Sequence, residues 1–302
     1  MYQKIFKVAV PVLTASSLFV VTPTSSFATS NPHVAVNSVA PASTFESHNP
    51  WENGKLSEIA WESDHPDTID MNLKYDDDAK GLFEKLKALN AAATEQSAAR
   101  IAEENALLNT IRTLNPNKIS EMSSLVLDSK SEYRTSFSLV AWYISSLDLP
   151  FAARAMLHSL DDKPTDVWYE AGSSLSNGWS WTAAYTTFSI PIAKAISKAN
   201  SEGKKYVGGD TSIATSAGNA GLDFYLALGK VTISWSAEKQ SGGNWKVYIH
   251  TYDKYDFTEV KVPNSFPDNI IAIANNQAAD AQRVGAIVPY MTHIFNQQDY
   301  TP

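Results

Sequence analysis

The residues best suited to chemistry in this sequence are the tetrad Asp253, Lys254, Tyr255 and Asp256. Two carboxylates three positions apart, with a tyrosine between them, can hold a divalent cation or share proton transfer. The run at 245–252 alternates between apolar and polar residues, which predicts a β-strand that presents the tetrad at its end. The alternative interpretation is a strand end with turn-forming carboxylates, because the motif is only four residues long.

Two basic side chains could complete a phosphate site beside these carboxylates. Arg154 and His158 lie four positions apart in a predicted helix, so they share one helix face. A phosphate bound at the tetrad would be repelled by its carboxylates unless a cation or a guanidinium lay opposite. We therefore expect both side chains to face the carboxylates of the tetrad. The alternative is a surface arginine and an ordinary histidine.

The composition of the chain limits which catalytic sites, metal sites and partners it can have. The chain has 302 residues, a formal net charge of −8 at pH 7 and no cysteine. The lack of cysteine excludes thiol catalysis and cysteine-zinc sites, and it leaves carboxylate-held Mg²⁺ or Ca²⁺, at Asp253 and Asp256, as a cation site that the composition permits. The acidic balance argues against a nucleic-acid partner, because neutralising phosphates needs clustered Lys and Arg. Phosphate-loop, zinc-protease and nucleophile-elbow motifs do not occur in the sequence.

The first residues read as an export signal. Lys4 and Lys7 precede a largely apolar stretch at 8–21, and a small-residue cleavage pattern ends at Ala28. The sequence therefore predicts a signal peptide over 1–28 and a secreted protein, extracellular or periplasmic. The apolar stretch is short for a membrane span, so we expect no transmembrane segment in the mature chain; an uncleaved anchor is the alternative.

Downstream of the signal, the sequence predicts an α+β fold with an N-terminal helical lobe and a mixed lobe that holds an antiparallel sheet. In the helical lobe, the apolar segment at 137–147 favours a core helix, with a membrane-active segment as the alternative. Three aspartates open the first helix, where they cap it or, alternatively, bind a cation. The predicted parts are a flexible or irregular arm at 29–75, the helical lobe at 76–163 and the β-containing lobe at 164–302. The predicted helices lie at 76–112, within 117–160, at 182–198 and at 269–284, and the third is interrupted near Pro191. The predicted strands lie at 222–236 and 245–257, joined by a glycine-containing loop at 240–244, and a closing strand lies at 290–295.

Four segments in this order resemble the C-terminal modules of secreted bacterial antagonism toxins. They are ARAMLHSL at 153–160, LDFYLALG at 222–229, YDKYDF at 252–257 and the stretch at 275–290. The D-x-Y-D tetrad is similar to the catalytic motif of colicin M-type bacteriocins. These bacteriocins cleave a bond in lipid II, the lipid-linked precursor of the bacterial cell wall. LXG-type toxins with a helical and a β lobe attack the same bond of lipid II.

The resemblance implies a hydrolase of a phosphoester or pyrophosphate bond in lipid II, with Asp253, Tyr255 and Asp256 as site positions. Colicin M-type toxins carry a His-Arg pair shortly after the tetrad, whereas 258–264 holds neither residue here. Arg154 or His158 would have to substitute for that pair. The implied partners are the lipid-linked precursor at a membrane surface and an immunity protein. The alternative function is a non-catalytic secreted protein that binds a surface or perturbs a membrane.

Overall fold

The structure is a computed structural model that describes residues 71–113, 129–257, 259 and 268–302. The predicted signal peptide at 1–28 and nearly all of the predicted arm at 29–75 lie outside these ranges. The elements in chain order are β1 (Lys74–Tyr75), α1 (Asp76–Thr113), α2 (Lys130–Ser146), α3 (Pro150–His158), β2 (Val167–Tyr169), α4 (Ser174–Ser180), α5 (Ala183–Ser201), β3 (Tyr206–Ala214), α6 (Ala217–Ala220), α7 (Leu222–Ala227), β4 (Lys230–Lys239), β5 (Trp245–Tyr255), α8 (Asp268–Arg283) and β6 (Tyr290–Tyr300).

The predicted α+β class is confirmed by a six-stranded sheet with the order β1-β3-β4-β5-β6-β2. The pairs β1–β3, β3–β4 and β4–β5 are antiparallel, and β2 runs parallel to β6, so the sheet is mixed. The predicted hairpin is confirmed: β4 and β5 flank the loop at 240–244, where Gly243 takes a φ of 88°. Only glycine adopts such a φ without steric cost.

The described chain forms two compact units, and each is built from separate segments. Unit 1 contains Glu103–Thr165 and Tyr255–Tyr290. Unit 2 contains the described residues up to Ala102, together with Asp166–Lys254 and Met291–Pro302. The chain therefore passes from one unit to the other inside α1, β5 and β6, and at Thr165, next to the predicted lobe boundary.

In unit 2, both faces of the sheet are covered. On one face, the α1 residues Phe83 and Leu86 pack against Tyr206 of β3 and Tyr248 of β5. On the other face, the indole N–H of Trp179 in α4 donates to Thr251 Oγ1 of β5 at 3.1 Å. Strands covered on both sides need not alternate in polarity, and β5 is buried along most of its length.

Unit 1 has a helical core. Phe137 of α2 packs with Ala281 of α8 and with Ile287, and Ala141 of α2 packs with Leu157 of α3. The apolar segment at 137–147 thus contributes to this core, as the core interpretation predicts. No helix within the described ranges is long and apolar enough to cross a membrane.

Two sequence predictions are wrong in detail. Residues 222–227 form helix α7, and strand β4 begins only at Lys230. Gly221, with a φ of 78°, starts this helix, and Phe224 packs against Trp179 with ring centroids 5.4 Å apart, so tertiary packing overrides its β propensity. Helix α5 continues through Pro191 without the predicted interruption, because its buried face, which includes Phe188, packs on both sides of the proline.

Candidate functional site

Strand β5 carries the first part of the tetrad to the end of the sheet, as predicted. Asp253 and Lys254 belong to unit 2. The half-buried Asp253 accepts a hydrogen bond from the backbone N–H of Gly229 at 2.7 Å. Because Gly229 immediately precedes β4, this bond fastens the end of β5 to the start of the neighbouring strand. The Asp253 carboxylate therefore has a structural contact whatever its chemical role.

The second part of the tetrad belongs to unit 1. The Tyr255 ring is 6% exposed and lies edge-on to Phe257, with ring centroids 5.1 Å apart, and 5.4 Å from Tyr290. Burial raises the pKa of the Tyr255 phenol well above its usual range, so it stays protonated at neutral pH. Asp256 follows directly and is exposed. The tetrad thus ends with a buried anchor and a carboxylate at the surface.

Arg154 and His158 both contact helix α1 within unit 1. A guanidinium nitrogen of Arg154 lies 2.9 Å from a Glu104 carboxylate oxygen, in an ion pair whose side chains are only 16% and 14% exposed. His158 is buried, with Nδ1 2.7 Å from Glu103 and Nε2 2.7 Å from the carbonyl oxygen of Thr165. The shared helix face is thus directed at two neighbouring glutamates. That Arg154 and His158 also face the tetrad stays a prediction.

The described ranges contain no group of three or more His, Asp or Glu side chains arranged to hold a metal ion. Within those ranges, a cation at the tetrad would therefore be held by the two tetrad carboxylates, Asp253 and Asp256. Mg²⁺ is often held by one or two carboxylates, with water and substrate phosphates completing its shell.

A second polar constellation lies in unit 2, and the sequence did not predict it. Asp210 of β3, Ser234 of β4 and His250 of β5 are direct cross-strand partners, so their side chains form a row on one face of the sheet. His293 of β6 continues the row, with its Nδ1 3.3 Å from Nε2 of His250. All four residues are buried. Polar residues at even positions of β3, β4 and β5 were the available signal, but only the strand register aligns them, and only the tertiary contact adds His293.

The row is enclosed by aromatic rings and ends at a carboxylate. Trp168 of β2 lies over His293 at 4.2 Å between ring centroids, and Tyr252 stacks on His250 at 4.3 Å. The Asp166 carboxylate, half exposed, is 3.9 Å from Nε2 of His293. Burial lowers the pKa of His293, and the nearby Asp166 carboxylate partly offsets this effect. At neutral pH, His293 is therefore uncharged.

No family model, curated protein or solved structure matches this chain. Its function therefore has to be argued from the chemistry of its own residues.

Proposed function

We propose that this chain is an exported hydrolase that cleaves a phosphoester or pyrophosphate bond of a lipid-linked cell-wall precursor, lipid II. A divalent cation, Mg²⁺ or Ca²⁺, would be held through Asp253 and Asp256. The observation that carries this proposal is the exposed Asp256 carboxylate directly after the buried Tyr255 at the end of strand β5. A carboxylate on a rigid strand end can meet a substrate without a large loss of conformational freedom.

A cation is needed because the substrate and the tetrad are both negative. A pyrophosphate next to two carboxylates is repelled unless positive charge intervenes. A bound Mg²⁺ would neutralise the phosphoryl oxygens and lower the pKa of the attacking water. Its shell would be completed by substrate oxygens and water, beside the two carboxylates that the tetrad offers.

The other predicted site residues would have narrower roles. Tyr255 keeps its proton at neutral pH, so it could donate a hydrogen bond but not act as a base. Arg154 would have to exchange its ion pair with Glu104 for a phosphate oxygen. The guanidinium would keep an anionic partner in this exchange, but the largely buried Glu104 carboxylate would lose the Arg154 cation, which costs stability.

The test is an assay of the purified protein on lipid II, with Mg²⁺, with Ca²⁺ or with chelator, followed by chromatographic separation of the products. We expect cation-dependent cleavage, and a loss of about 100-fold or more in Asp256→Asn. Asp148→Asn is the matched control, since Asp148 is an exposed aspartate in the same unit and outside the proposed site. A fully active Asp256→Asn protein would contradict the proposal.

A second candidate function is a non-catalytic secreted protein that binds a surface or perturbs a membrane. The bond from Gly229 to Asp253 favours it, because this bond explains one tetrad carboxylate structurally. Trp181, which is 55% exposed, could supply a contact with a surface. Intact lipid II together with liposome leakage that survives Asp253→Asn and Asp256→Asn would support this candidate over the hydrolase.

A further inference from the structure

The contact between His250 and His293 joins two neighbouring strands in the middle of unit 2. Both rings are 0% exposed, and their Nε2 and Nδ1 atoms are 3.3 Å apart. A hydrogen bond between two imidazoles needs one ring to donate an N–H and the other to accept with a bare nitrogen. The contact can therefore form when at least one of the two rings is neutral, and it is lost when both are protonated.

Among the residues that the structure describes, the Asp166 carboxylate is a negative charge next to the pair. Asp166, immediately before β2, lies 3.9 Å from Nε2 of His293. The carboxylate of Asp210, at the other end of the row, is already held by Lys74 at 2.6 Å and by the amide of Asn72 at 3.0 Å. Asp166 is therefore the carboxylate best placed to stabilise a first proton on the pair.

Several charged or titratable side chains that the structure describes on the neighbouring elements of unit 2 make other contacts. From α1, Arg100 pairs with Glu170 at 2.7 Å. The negative charge of Glu84, also in α1, contributes to the raised pKa of the Tyr206 phenol. From β5, Tyr252 stacks on the His250 ring. From β4, the residue opposite His250 is Ser234, which is uncharged. A second proton on the pair would thus meet a like charge in a buried position.

We propose that the His250–His293 pair is an acid-sensitive latch that holds strand β6 against strand β5 at neutral pH and releases it when both rings are protonated. β2 is attached to the sheet through β6, in a register that sets Trp168 beside His293. Release of β6 from β5 would therefore detach β2 as well. The latch acts on the fold of unit 2 and is independent of the proposed hydrolase activity.

The direction of the pH dependence follows from burial. The pKa of His293 is lowered in the folded state, so the unfolded or opened chain binds protons more readily. The stability contributed by the latch is complete above the ordinary histidine pKa of about 6.5 and declines as the pH falls below it. Each unit of pKa depression changes the ratio of opened to closed molecules by a factor of about ten.

The experiment is amide hydrogen exchange on the full chain at about pH 7.5 and about pH 5, corrected for the intrinsic pH dependence of exchange. We expect peptides from β5, β6 and β2 to gain at least about tenfold in corrected exchange rate at the lower pH, while peptides from α2 and α3 in unit 1 change less. Equal protection of β6 at both pH values would overturn the latch.

The decisive variant is the double substitution His250→Gln and His293→Asn. The amide groups of Gln and Asn lie near the positions of Nε2 and Nδ1, so they can keep a hydrogen bond while losing the titration. We expect the double variant to lose the acid response. The control is His158→Gln, which removes another buried histidine, in unit 1, and should leave the response intact.

A third measurement keeps the test valid if the double variant fails to fold. Ring signals of ¹⁵N-labelled histidine in the wild-type protein should show His250 and His293 titrating as a coupled pair, with the second proton bound well below the usual histidine pKa. Two independent titrations near the usual value, or an acid response that persists in the double variant, would refute the latch.

Discussion

Removing the hydroxyl of Ser234 should stabilise this protein, whereas removing that of Ser236, two residues further along β4, should destabilise it. Both side chains are 0% exposed and point to the same face of the sheet. Ser236 Oγ donates to the carbonyl oxygen of Ala79 at 2.8 Å. Ser234 Oγ has no hydrogen-bond partner among the described residues. The two serines thus differ chiefly in hydrogen bonding.

The magnitudes follow from that difference. An unpaired buried polar group costs about 1–3 kcal/mol, and deleting it forfeits the dispersion contacts of one oxygen atom, roughly 0.5 kcal/mol. Ser234→Ala should therefore raise the free energy of unfolding by about 1 kcal/mol. Ser236→Ala removes a made hydrogen bond and should lower that free energy by about 1 kcal/mol. The change in strand propensity from Ser to Ala is common to both variants and cancels in their difference, about 2 kcal/mol.

The assay is urea unfolding at neutral pH, followed by tryptophan fluorescence, because Trp235 and Trp245 are fully buried in the same hairpin. The urea midpoint should rise in Ser234→Ala and fall in Ser236→Ala, while the dependence of the unfolding free energy on urea concentration stays the same in both variants. If Ser234→Ala lowers the midpoint as much as Ser236→Ala does, a water molecule or another group satisfies the Ser234 hydroxyl, and the reasoning is refuted.

Two further predictions concern a close backbone contact and the buried phenols. Gly209→Ala should lower the free energy of unfolding by about 2 kcal/mol or more, and with it the midpoint of thermal unfolding, because the new Cβ would lie 2.1 Å from the carbonyl oxygen of Met71. The control Gly242→Ala, which has open space around its Cβ, should leave the midpoint nearly unchanged. Equal shifts of the midpoint in the two variants would contradict this prediction. The hydrogen bond to Glu238 raises the pKa of Tyr206 to about 12, and burial raises the pKa of Tyr255. The free energy of unfolding should therefore fall as the pH rises through about 10, because these phenols ionise first in the unfolded chain. An absorbance titration in which all phenols of the folded protein ionise together near about pH 10 would refute this prediction.

Much of the fold could be predicted from local patterns. Helix α1 begins at Asp76 as expected, because acidic residues in the first turn and a run of good helix formers act within the segment itself. The β4–β5 hairpin likewise depends on a short glycine-containing loop. Helix α7 could not be predicted, since the contact of Phe224 with Trp179 joins residues far apart in the chain.

The candidate site was harder to predict than the fold. Strand periodicity placed the tetrad at a strand end, but it could not show that Tyr255 is buried or that Asp253 accepts a bond from Gly229. Helical spacing put Arg154 and His158 on one face without naming the glutamates of α1 that this face meets. Partner identity is a long-range property, and spacing within one element carries no information about it.

By itself, the sequence determined the α+β class, the lack of cysteine chemistry and the presence of a carboxylate pair after an alternating strand. These depend on composition and on patterns shorter than one element. Only the tertiary structure decided that Asp210, Ser234 and His250 stand side by side on three strands and that His293 touches the last of them. Strand register fixes such neighbours, because a shift of one residue would turn each side chain to the opposite face of the sheet.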